Sequence, residues 1–542
     1  MVRITDEPIA CRDAFGAAGV ALPGFDIAAA RALGRQEPRW LHIGPGNLFR
    51  ALHAQLAQTL LDGGRMAGGV IVAGTLWPGE IAQVYAPSDD RHLLVVMKPD
   101  GGLDTTLIAS VARAIYAGPD GGDLAALLQV AAAPSLQLVT VTITEKGYVT
   151  RDAGGDWLPA VAADVAGGPG GATSAMGILT ACLHARWAAG GAPIALVSTD
   201  NFSANGDRFR AAVSDVARTW ADGGQVEAAF ADYVAGAKVS FPCTMIDRIT
   251  PNPSQDVADK LTAAGVADME LIRVSASTVM APFANTEPTW YLVVEDDFPN
   301  GRPPLEATGV LMTDRSTVNL TDEMKVTACL NPLHTALAVF GMLLGFDRIW
   351  QEMRDPDLVA LVRRLGFDEM LPVCPDPGII EPADFLGEVI DRRLPNPALP
   401  DAPGRIAADT SQKLPIRFGT ALGRYAARGA AVGGLTAIPL VLAGWLRYLM
   451  GVDDAGHPMT LSPDPRLDEL TVRLSGLRLG ADNSAVAREV GVPLLSQVVG
   501  ADLTQLADRI VEDLQSLTRG PGAVRATLHA AAGGAAQATR AN

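Results

Sequence analysis

The sequence has little cysteine, and the cysteines it has are scattered. Its 542 residues include five cysteines, an odd number, and no two of them form a CxxC pair. Zinc sites and disulfide-stabilised folds usually need closer and paired spacings. We therefore expect reduced thiols and a cytoplasmic location.

Basic charge is also scarce, since 43 lysines and arginines face 60 aspartates and glutamates, for a formal net charge of −17. Nucleic-acid binding needs a basic face, so nucleic acid is excluded as a partner. The N-terminus, MVRITDEPIACRDAF, lacks the apolar core of a signal peptide. The most apolar run, Leu435 to Leu446, is too short to span a bilayer and predicts a buried helix. No membrane partner is expected.

Several common catalytic motifs are absent. The sequence contains no GxSxG, no HExxH and no GxxxxGK[ST], and no tyrosine is followed by a lysine four residues later. These absences argue against a serine hydrolase, a zinc protease, a P-loop enzyme and the usual short-chain dehydrogenase pair.

One stretch near the N-terminus has the order strand, glycine turn, helix. The apolar run WLHI is followed by Gly44 and Gly46, and apolar residues then recur at helical spacing. This order is typical of the first unit of a dinucleotide-binding fold, where the helix N-terminus favours a pyrophosphate. Phe49 replaces the third glycine of the usual fingerprint, so an ordinary strand-to-helix turn fits as well. The candidate cofactor-binding residues here are Gly44, Gly46, Asn47, Leu48 and Arg50, of which Arg50 either reaches a phosphate or is a surface arginine.

The second predicted strand, GVIVAGTL, has no acidic residue directly at its end. NAD enzymes usually place an acid there to bind the ribose hydroxyls. Glu80, a few residues later, is the nearest candidate. The choice between NAD and NADP therefore stays open at this point.

Strands and helices alternate along the first part of the chain, whereas almost everything after about residue 315 has a helical pattern. Alternation predicts a parallel sheet with its ligands at the carboxyl ends of the strands. Asn201 follows one such strand and is either a site residue or a turn asparagine. The fold class is thus α/β, with a Rossmann-type N-terminal domain at 1–310 and a mostly α-helical C-terminal domain at 311–520. The Gly/Ala-rich segment 521–542 predicts a flexible tail.

The segment KVTACLNPLH, from Lys325 to His334, leads into an apolar helix. A nicotinamide enzyme that oxidises an alcohol needs a base for the hydroxyl proton and donors for the carbonyl oxygen. A lysine whose pKa is lowered by burial can be that base. The amides of Asn331 and Asn201 can donate to the oxygen, and His334 can orient the substrate. A solvated lysine and a core histidine are the alternatives.

A series of motifs resembles the polyol-specific long-chain dehydrogenase family, which includes mannitol dehydrogenases and hexuronate reductases. The motifs are LPGFD at 22–26, HIGPGNLFRA at 42–51, TEKGY at 144–148, STDNFSANGD at 198–207, SFPCTMIDRITP at 240–251, VEDDF at 294–298, GRPPLE at 301–306 and DTSQKLPIR at 409–417. Eight motifs in the family's order are far more specific than any one of them. NPLHTALAVFG is similar to the fructuronate reductase branch.

The resemblance implies roles for individual residues. Lys325 matches the family's general base, Asn201 and Asn331 its two carbonyl-polarising asparagines, and His334 its substrate histidine. Further positions around the substrate match Asp247, Arg405 and Lys413. The family uses no metal, and we expect NAD as cofactor, with NADP not excluded, in a monomer or a homodimer.

The expected reaction is the interconversion of a sugar acid and its 2-keto form, with D-mannonate and D-fructuronate as the expected pair. A mannitol or arabinitol 2-dehydrogenase is the alternative enzyme. A non-catalytic sugar or nucleotide sensor on the same fold is the alternative of a different class.

The sequence departs from the family's pattern at one place. The family usually has four residues between the lysine and the asparagine, but five separate Lys325 from Asn331 here. One extra residue rotates the lysine by about 100° on an ideal helix. A π-bulge can absorb the insertion. Alternatively, Lys325 lies just before the regular helix.

Overall fold

The computed structural model describes residues 1–119, 121–276 and 278–538. The chain divides into two compact units, one covering Met1–Asn319 and the other starting at Leu320. The first unit extends past the expected boundary at 310 because the strand Leu311–Thr313 still pairs with Tyr291–Glu295.

The described strands all lie in the first unit. They are β1 Val20–Ala21, β2 Trp40–Ile43, β3 Val70–Gly74, β4 His92–Met97, β5 Leu103–Ile108, β6 Val111–Tyr116, β7 Leu138–Val141, β8 Ile194–Ser198, β9 Val239–Ser240, β10 Thr244–Asp247, β11 Ile272–Arg273, β12 Val279–Met280, β13 Phe283–Thr286, β14 Tyr291–Glu295 and β15 Leu311–Thr313.

The main sheet has six parallel strands in the order β6-β3-β2-β7-β8-β9. In its centre, Leu41 pairs with Ile71 on one side and with Val139 on the other. These three side chains belong to one apolar core, while the neighbouring Trp40 and Leu138 belong to a second core. Both faces of the sheet are therefore buried, which explains why its strands are continuous apolar runs. The predicted Rossmann-type parallel sheet is confirmed.

Helices connect these strands. In the first unit they are α1 Arg12–Ala17, α2 Ile27–Gln36, α3 Ala54–Asp62, α4 Leu124–Ala132, α5 Pro159–Gly167, α6 Ala175–Ala188, α7 Asn205–Asp222, α8 Ala228–Ala235 and α9 Gln255–Ala263. Several begin at a side-chain cap, as helix-capping chemistry predicts. For example, Asp123 accepts a hydrogen bond from the backbone N–H of Ala126, and Ser174 accepts one from Gly177.

The second unit is helical in its described part. Its helices, the first of which starts before the division, are α10 Arg315–Met324, α11 Asn331–Leu344, α12 Ile349–Glu352, α13 Pro356–Arg363, α14 Pro382–Glu388, α15 Pro403–Ala407, α16 Thr410–Leu414, α17 Thr420–Ala427, α18 Ala437–Tyr448, α19 Leu467–Arg473, α20 Ser484–Val486, α21 Val492–Val499, α22 Ala507–Leu517 and α23 Ala523–Ala538. The apolar run predicted to be a buried helix is α18, all of whose residues are buried.

One helical stretch, Arg315–Leu344, is long and apolar enough to cross a membrane, but 72% of its apolar window is buried inside the protein. Buried core helices commonly have such a composition. A cytoplasmic location stays a prediction.

Short π-helical segments occur in both units, most of them next to a regular helix. They are Phe49–His53, Glu80–Tyr85, Lys325–Cys329, Arg364–Met370, Val389–Arg393, Pro415–Gly419 and Ala487–Gly491. Such segments are frequent at functional sites. Three of them contain the candidate residues Arg50, Glu80 and Lys325.

The expected flexible tail is wrong for most of its length, because helix α23 covers Ala523–Ala538. Asp454 accepts hydrogen bonds from the backbone N–H groups of Val524 and Arg525 and so caps the helix. Val524 and Leu528, four residues apart, are buried on one face. These two apolar residues lie within a Gly/Ala-rich segment, so composition alone did not predict a packed helix here.

Glu352 at the end of α12 is fully buried, and neither of its carboxylate oxygens has a hydrogen-bond partner in the described part of the chain. Burial, with a contribution from Asp355, raises the pKa of Glu352 from 4.5 to about 9. Between these values the native state keeps a proton that the unfolded state has lost. Stability therefore falls as pH rises through this window, by up to about 1.4 kcal/mol per pH unit.

We expect Glu352→Gln to flatten this pH dependence, because the amide cannot ionise. Urea unfolding at pH 5, 7 and 9 measures the free energy of unfolding of both proteins. The difference in this free energy between the variant and the wild type should widen as pH rises. The matched control is Glu369→Gln: Glu369 is also buried but accepts backbone hydrogen bonds from Thr436, Ala437 and Ile438. That variant should be less stable than the wild type at pH 7. If the free energy of unfolding changed equally with pH in the wild type and in Glu352→Gln, this would contradict the raised pKa of Glu352.

Candidate functional site

The turn after β2 is built around Gly44. Its φ of +113° is a conformation that favours glycine, and a Cβ atom there would lie 2.1 Å from the carbonyl oxygen of Thr142. Its backbone N–H donates to the carbonyl of Ala73, and the Tyr85 hydroxyl donates to the carbonyl of Pro45. These contacts fix the turn at the carboxyl ends of three neighbouring strands, where α/β sheets bind their ligands.

Gly46 leaves open space above this turn, because a Cβ atom there would meet nothing within 4 Å. The buried Oδ1 of Asn47 has no hydrogen-bond partner in the described part of the chain, so it can accept a hydrogen bond from a ligand hydroxyl. Leu48 packs against the apolar core, which leaves only its backbone for a ligand. The turn therefore fits a group that approaches the backbone closely, as a dinucleotide does.

Glu80 lies beside the end of the second strand of the dinucleotide unit, although it comes late in the sequence. Its Oε2 is 3.5 Å from the position of a Cβ atom on Gly74, the last residue of β3. The residue is buried, and desolvation raises the pKa of its carboxyl to about 7. The fold thus brings an acid to the position where dinucleotide folds bind ribose hydroxyls.

The guanidinium of Arg50 is buried and only partly hydrogen-bonded. It is 1% exposed, and its Nη2 donates to the carbonyl of Ala281 at 2.7 Å. Its guanidinium lies 6.0 Å from the ring centre of Tyr85, and burial lowers its pKa to about 10. Its buried Nε and Nη1 have no hydrogen-bond partner in the described part of the chain. The surface-arginine alternative is wrong, and the phosphate contact stays a prediction.

Asn201 lies in the loop after β8, and the structure places its side chain at the surface. The loop is held by the neighbouring Asp200, whose carboxylate accepts hydrogen bonds from the backbone of Ile143 and Thr144. Asp247 is buried at the end of β10, where it pairs with Tyr291. The roles of Asn201 and Asp247 stay predictions.

In the second unit, Lys325 begins a π-helix, Lys325–Cys329, and is 2% exposed. The N–H of Leu330 donates to the carbonyl of Lys325 at 3.1 Å, a bond between residues five apart. This turn accommodates the extra residue before Asn331. The Nζ of Lys325 lies 3.6 Å from Oδ1 of Asp322.

Helix α11 starts at Asn331, and Pro332 in its first turn fits because that position needs no N–H donor. The half-buried Asn331 side chain has no hydrogen-bond partner among the described residues, so its amide can donate to a ligand. His334, three residues on, shares its helix face. Burial, followed by smaller effects that include the charge of Arg417, lowers the pKa of His334 to about 4. At neutral pH the imidazole is uncharged and can accept a hydrogen bond.

The charges of Arg417, Arg393 and Arg405 lower the pKa of His334 further, against the opposing charge of Asp401. The two cations that the sequence suggested for the substrate both have partners. Arg405 is 70% exposed and paired with Asp401, and Lys413 donates to the backbone carbonyls of Ile406 and Ala408. Burial lowers the pKa of Lys413.

Arg417 is the cation that the sequence analysis missed. Its Nη1 donates to the hydroxyl of Thr335, and burial lowers its pKa to about 10. Within the described part of the chain it has no carboxylate partner. Thr335 is four residues after Asn331, so Arg417 meets the face of α11 that carries Asn331. The signal was present in DTSQKLPIR, where Arg417 follows Lys413 at helical spacing.

No group of three or more His, Cys, Asp and Glu side chains with metal-binding geometry occurs among the residues that the structure describes. Metal independence stays a prediction.

Two family models match most of the chain. The mannitol dehydrogenase Rossmann domain matches residues 38–306, and the mannitol dehydrogenase C-terminal domain matches residues 318–488.

Individual proteins are similar over nearly the whole length. The D-mannonate oxidoreductase of Thermotoga maritima is 43% identical over 98% of this chain and 99% of its own. Among solved structures, Pseudomonas fluorescens mannitol 2-dehydrogenase in a ternary complex with NAD and D-mannitol has a TM-score of 0.67 at 28% identity, over 94% of this chain and 96% of that one. A D-sorbitol dehydrogenase in substrate-free form has a TM-score of 0.78 at 23% identity, over 94% and 98%, and shows the fold alone.

Proposed function

Because the chain belongs to the mannitol dehydrogenase family, and is thus an oxidoreductase that acts on CH–OH groups, we propose that it interconverts a sugar acid and its 2-keto form. D-mannonate and D-fructuronate are the proposed pair. The observation that carries the acid assignment is Arg417, a half-buried guanidinium without a carboxylate partner in the described chain, near His334. In a protein of net charge −17, such a cation is suited to a substrate carboxylate. The 43% identity to a D-mannonate oxidoreductase supports the same substrate class.

In the oxidation direction, Nζ of Lys325 accepts the proton of the C2 hydroxyl, and in reduction it returns that proton. The free amide of Asn331 donates to the C2 oxygen and stabilises negative charge there, and we retain Asn201 as a second donor. His334 in its neutral form accepts a hydrogen bond from a substrate hydroxyl. No metal is needed for these steps, so activity should survive treatment with a chelator.

A nicotinamide cofactor accepts or donates the hydride at the substrate carbon when it is bound. The first unit, which we propose as the dinucleotide-binding domain, would hold it through the backbone of Gly44 and Gly46 and through Asn47. Glu80 would accept hydrogen bonds from the adenosine ribose hydroxyls, and its carboxylate would repel a 2′-phosphate. We therefore propose NAD as the preferred cofactor.

The experiment that tests this function is NADH and NADPH oxidation followed by absorbance, with fructuronate, tagaturonate, fructose and xylulose. Turnover of fructuronate well above fructose is expected. Turnover of fructose or xylulose alone would overturn the acid assignment. The similarity to mannitol 2-dehydrogenase makes a polyol the second candidate substrate.

Glu80→Ala should raise the KM for NADH by about tenfold, the equivalent of one lost hydrogen bond to a charged group. It should also narrow the preference for NADH over NADPH, because the negative charge beside the ribose is gone. Steady-state kinetics with both cofactors at pH 8, where the wild-type carboxyl is ionised, measures both effects.

The matched control for Glu80→Ala is Asp104→Ala, which removes a carboxylate exposed on β5 and paired with Lys98. It should leave the KM values for both cofactors unchanged. If the ratio of kcat/KM for NADH to kcat/KM for NADPH were the same in Glu80→Ala as in the wild type, Glu80 would not select the cofactor.

A further inference from the structure

Two cysteine thiols lie in contact in the second unit. Cys329 ends the π-helix that begins at Lys325 and is fully buried, and Cys374 lies in the loop after Val373 and is partly exposed. Their Sγ atoms are 3.8 Å apart, although 45 residues separate them in sequence. Both thiols are free. The fold thus pairs one accessible thiol with one enclosed thiol.

The surroundings make the two thiols chemically unequal. A hydrogen bond between the two thiols lowers the pKa of Cys374, and the charge of Arg424 lowers it further, against the opposing effects of burial, Asp376 and Glu323. The same hydrogen bond, together with burial, raises the pKa of Cys329. Arg424 is held in place by a 3.0 Å hydrogen bond to Thr327. An accessible thiol with a lowered pKa beside a second thiol is the arrangement found in peroxide-sensing cysteine pairs.

We propose that Cys329 and Cys374 are a redox modification site, at which a hydroperoxide converts the two thiols to a disulfide that reversibly lowers catalysis. The Cys374 thiolate attacks one peroxide oxygen, so that an S–O bond forms, the O–O bond breaks and water or an alcohol leaves. The Cys329 sulfur then attacks the resulting sulfenic acid, with formation of the S–S bond, cleavage of the S–O bond, and release of water. The peroxide is reduced by two electrons and the thiol pair is oxidised by two. A dithiol reverses the bond by exchange.

The disulfide would act on the residues proposed for catalysis. An S–S bond is about 2.05 Å long, so the sulfur atoms must approach each other by more than an ångström. Cys329 shares its π-helix with Lys325 and precedes Asn331 by two residues. A displacement of about 1 Å at a reacting group can cost about a hundredfold in rate. We expect at least a tenfold loss of kcat on oxidation.

The experiment treats the whole protein with a small molar excess of hydrogen peroxide. Thiol titration should fall by two, and peptide mapping without reduction should find Cys329 joined to Cys374. Turnover of the substrate identified above should fall at least tenfold and should return when dithiothreitol is added. Cys374→Ser should keep its activity and lose its sensitivity to peroxide. The matched control, Cys11→Ser, removes a partly exposed cysteine of the first unit and should stay sensitive.

The effect on turnover rests on the proposed function, whereas the disulfide does not. A reduced protein that turns over none of the sugars would count against the proposed function, and peptide mapping would still test the bond. Absence of the Cys329–Cys374 disulfide after peroxide treatment would overturn the modification site. A disulfide that leaves kcat unchanged would overturn the switch, and equal peroxide inactivation of Cys374→Ser and wild type would do the same.

Discussion

Replacing Lys325 with alanine is expected to lower kcat by about a thousandfold, within the 10²–10⁴ range of general acid–base catalysis. The variant loses the amine that we propose as the base for the C2 hydroxyl proton, whereas the residues of the first unit that we propose for the cofactor are untouched. NADH binding, followed by its fluorescence, should therefore stay close to that of the wild type. The measurement is turnover of fructuronate together with an NADH titration of the same preparation.

Two further variants separate the role of the amine from that of its volume. Lys325 is 2% exposed, so alanine leaves a cavity that could disturb the π-helix. In Lys325→Met the side chain fills most of this volume but has no basic nitrogen, so this variant should be as inactive as Lys325→Ala. Added methylamine should partly restore turnover to Lys325→Ala but not to Lys325→Met. The matched control Lys260→Ala removes an exposed lysine paired with Asp256 and should leave kcat unchanged.

Turnover of Lys325→Ala within tenfold of the wild type would contradict the role of Lys325 as base. If the wild type had no turnover and Lys325→Ala still responded to a sugar ligand, the protein would be the non-catalytic sensor that the sequence left as an alternative.

The parallel sheet was predictable because its strands are buried on both faces. Such strands are continuous apolar runs, as in WLHI and VIVAG, and each run is followed by a turn and a helical pattern. The sequence therefore contains the alternation of strands, turns and helices that is typical of a dinucleotide fold, even though one glycine of the fingerprint is missing. Packing supplies what local pattern does not, such as the cap from Asp454 that makes α23 a helix where composition suggested a tail.

The candidate site was predictable only where its residues lie close together in sequence, as in the segment from Lys325 to His334. The insertion before Asn331 was visible in the sequence, but two backbone geometries could accommodate it. The choice of a π-helix depends on the hydrogen bond from Leu330 to Lys325, which is not encoded in residue spacing. The burial of Arg50 also depends on packing, because its guanidinium donates to the carbonyl of Ala281, a residue distant in sequence. Contacts between distant segments, such as Arg417 with Thr335, require the fold.

Replacing Arg417 with leucine is expected to reduce kcat/KM for fructuronate by about a hundredfold, chiefly through KM. A hydrogen bond to a charged group contributes about 1.5–3 kcal/mol, which corresponds to roughly 10–150-fold. Arg405 and Lys413 should not compensate, because Arg405 is paired with Asp401 and Lys413 is bound to backbone carbonyls. Any turnover of fructose, which has no carboxylate, should change much less.

Three variants distinguish recognition of the carboxylate from support of the helix. Arg417→Lys keeps the charge but loses the planar fork, so its loss should be intermediate. Thr335→Val removes the hydroxyl that accepts from Arg417 and should affect acid and polyol substrates alike. Arg363→Ala, which breaks an exposed pair with Asp391, should affect neither substrate.

The ratio of kcat/KM for fructuronate to kcat/KM for fructose is therefore the decisive quantity for Arg417. A ratio that falls by an order of magnitude or more in Arg417→Leu identifies this residue as the partner of the substrate carboxylate. Equal losses for both substrates would mean that Arg417 acts only by holding Thr335 and the first turn of α11. In that case the cations around His334 would no longer favour a sugar acid over a polyol, while Lys325 and Asn331 would keep their proposed roles.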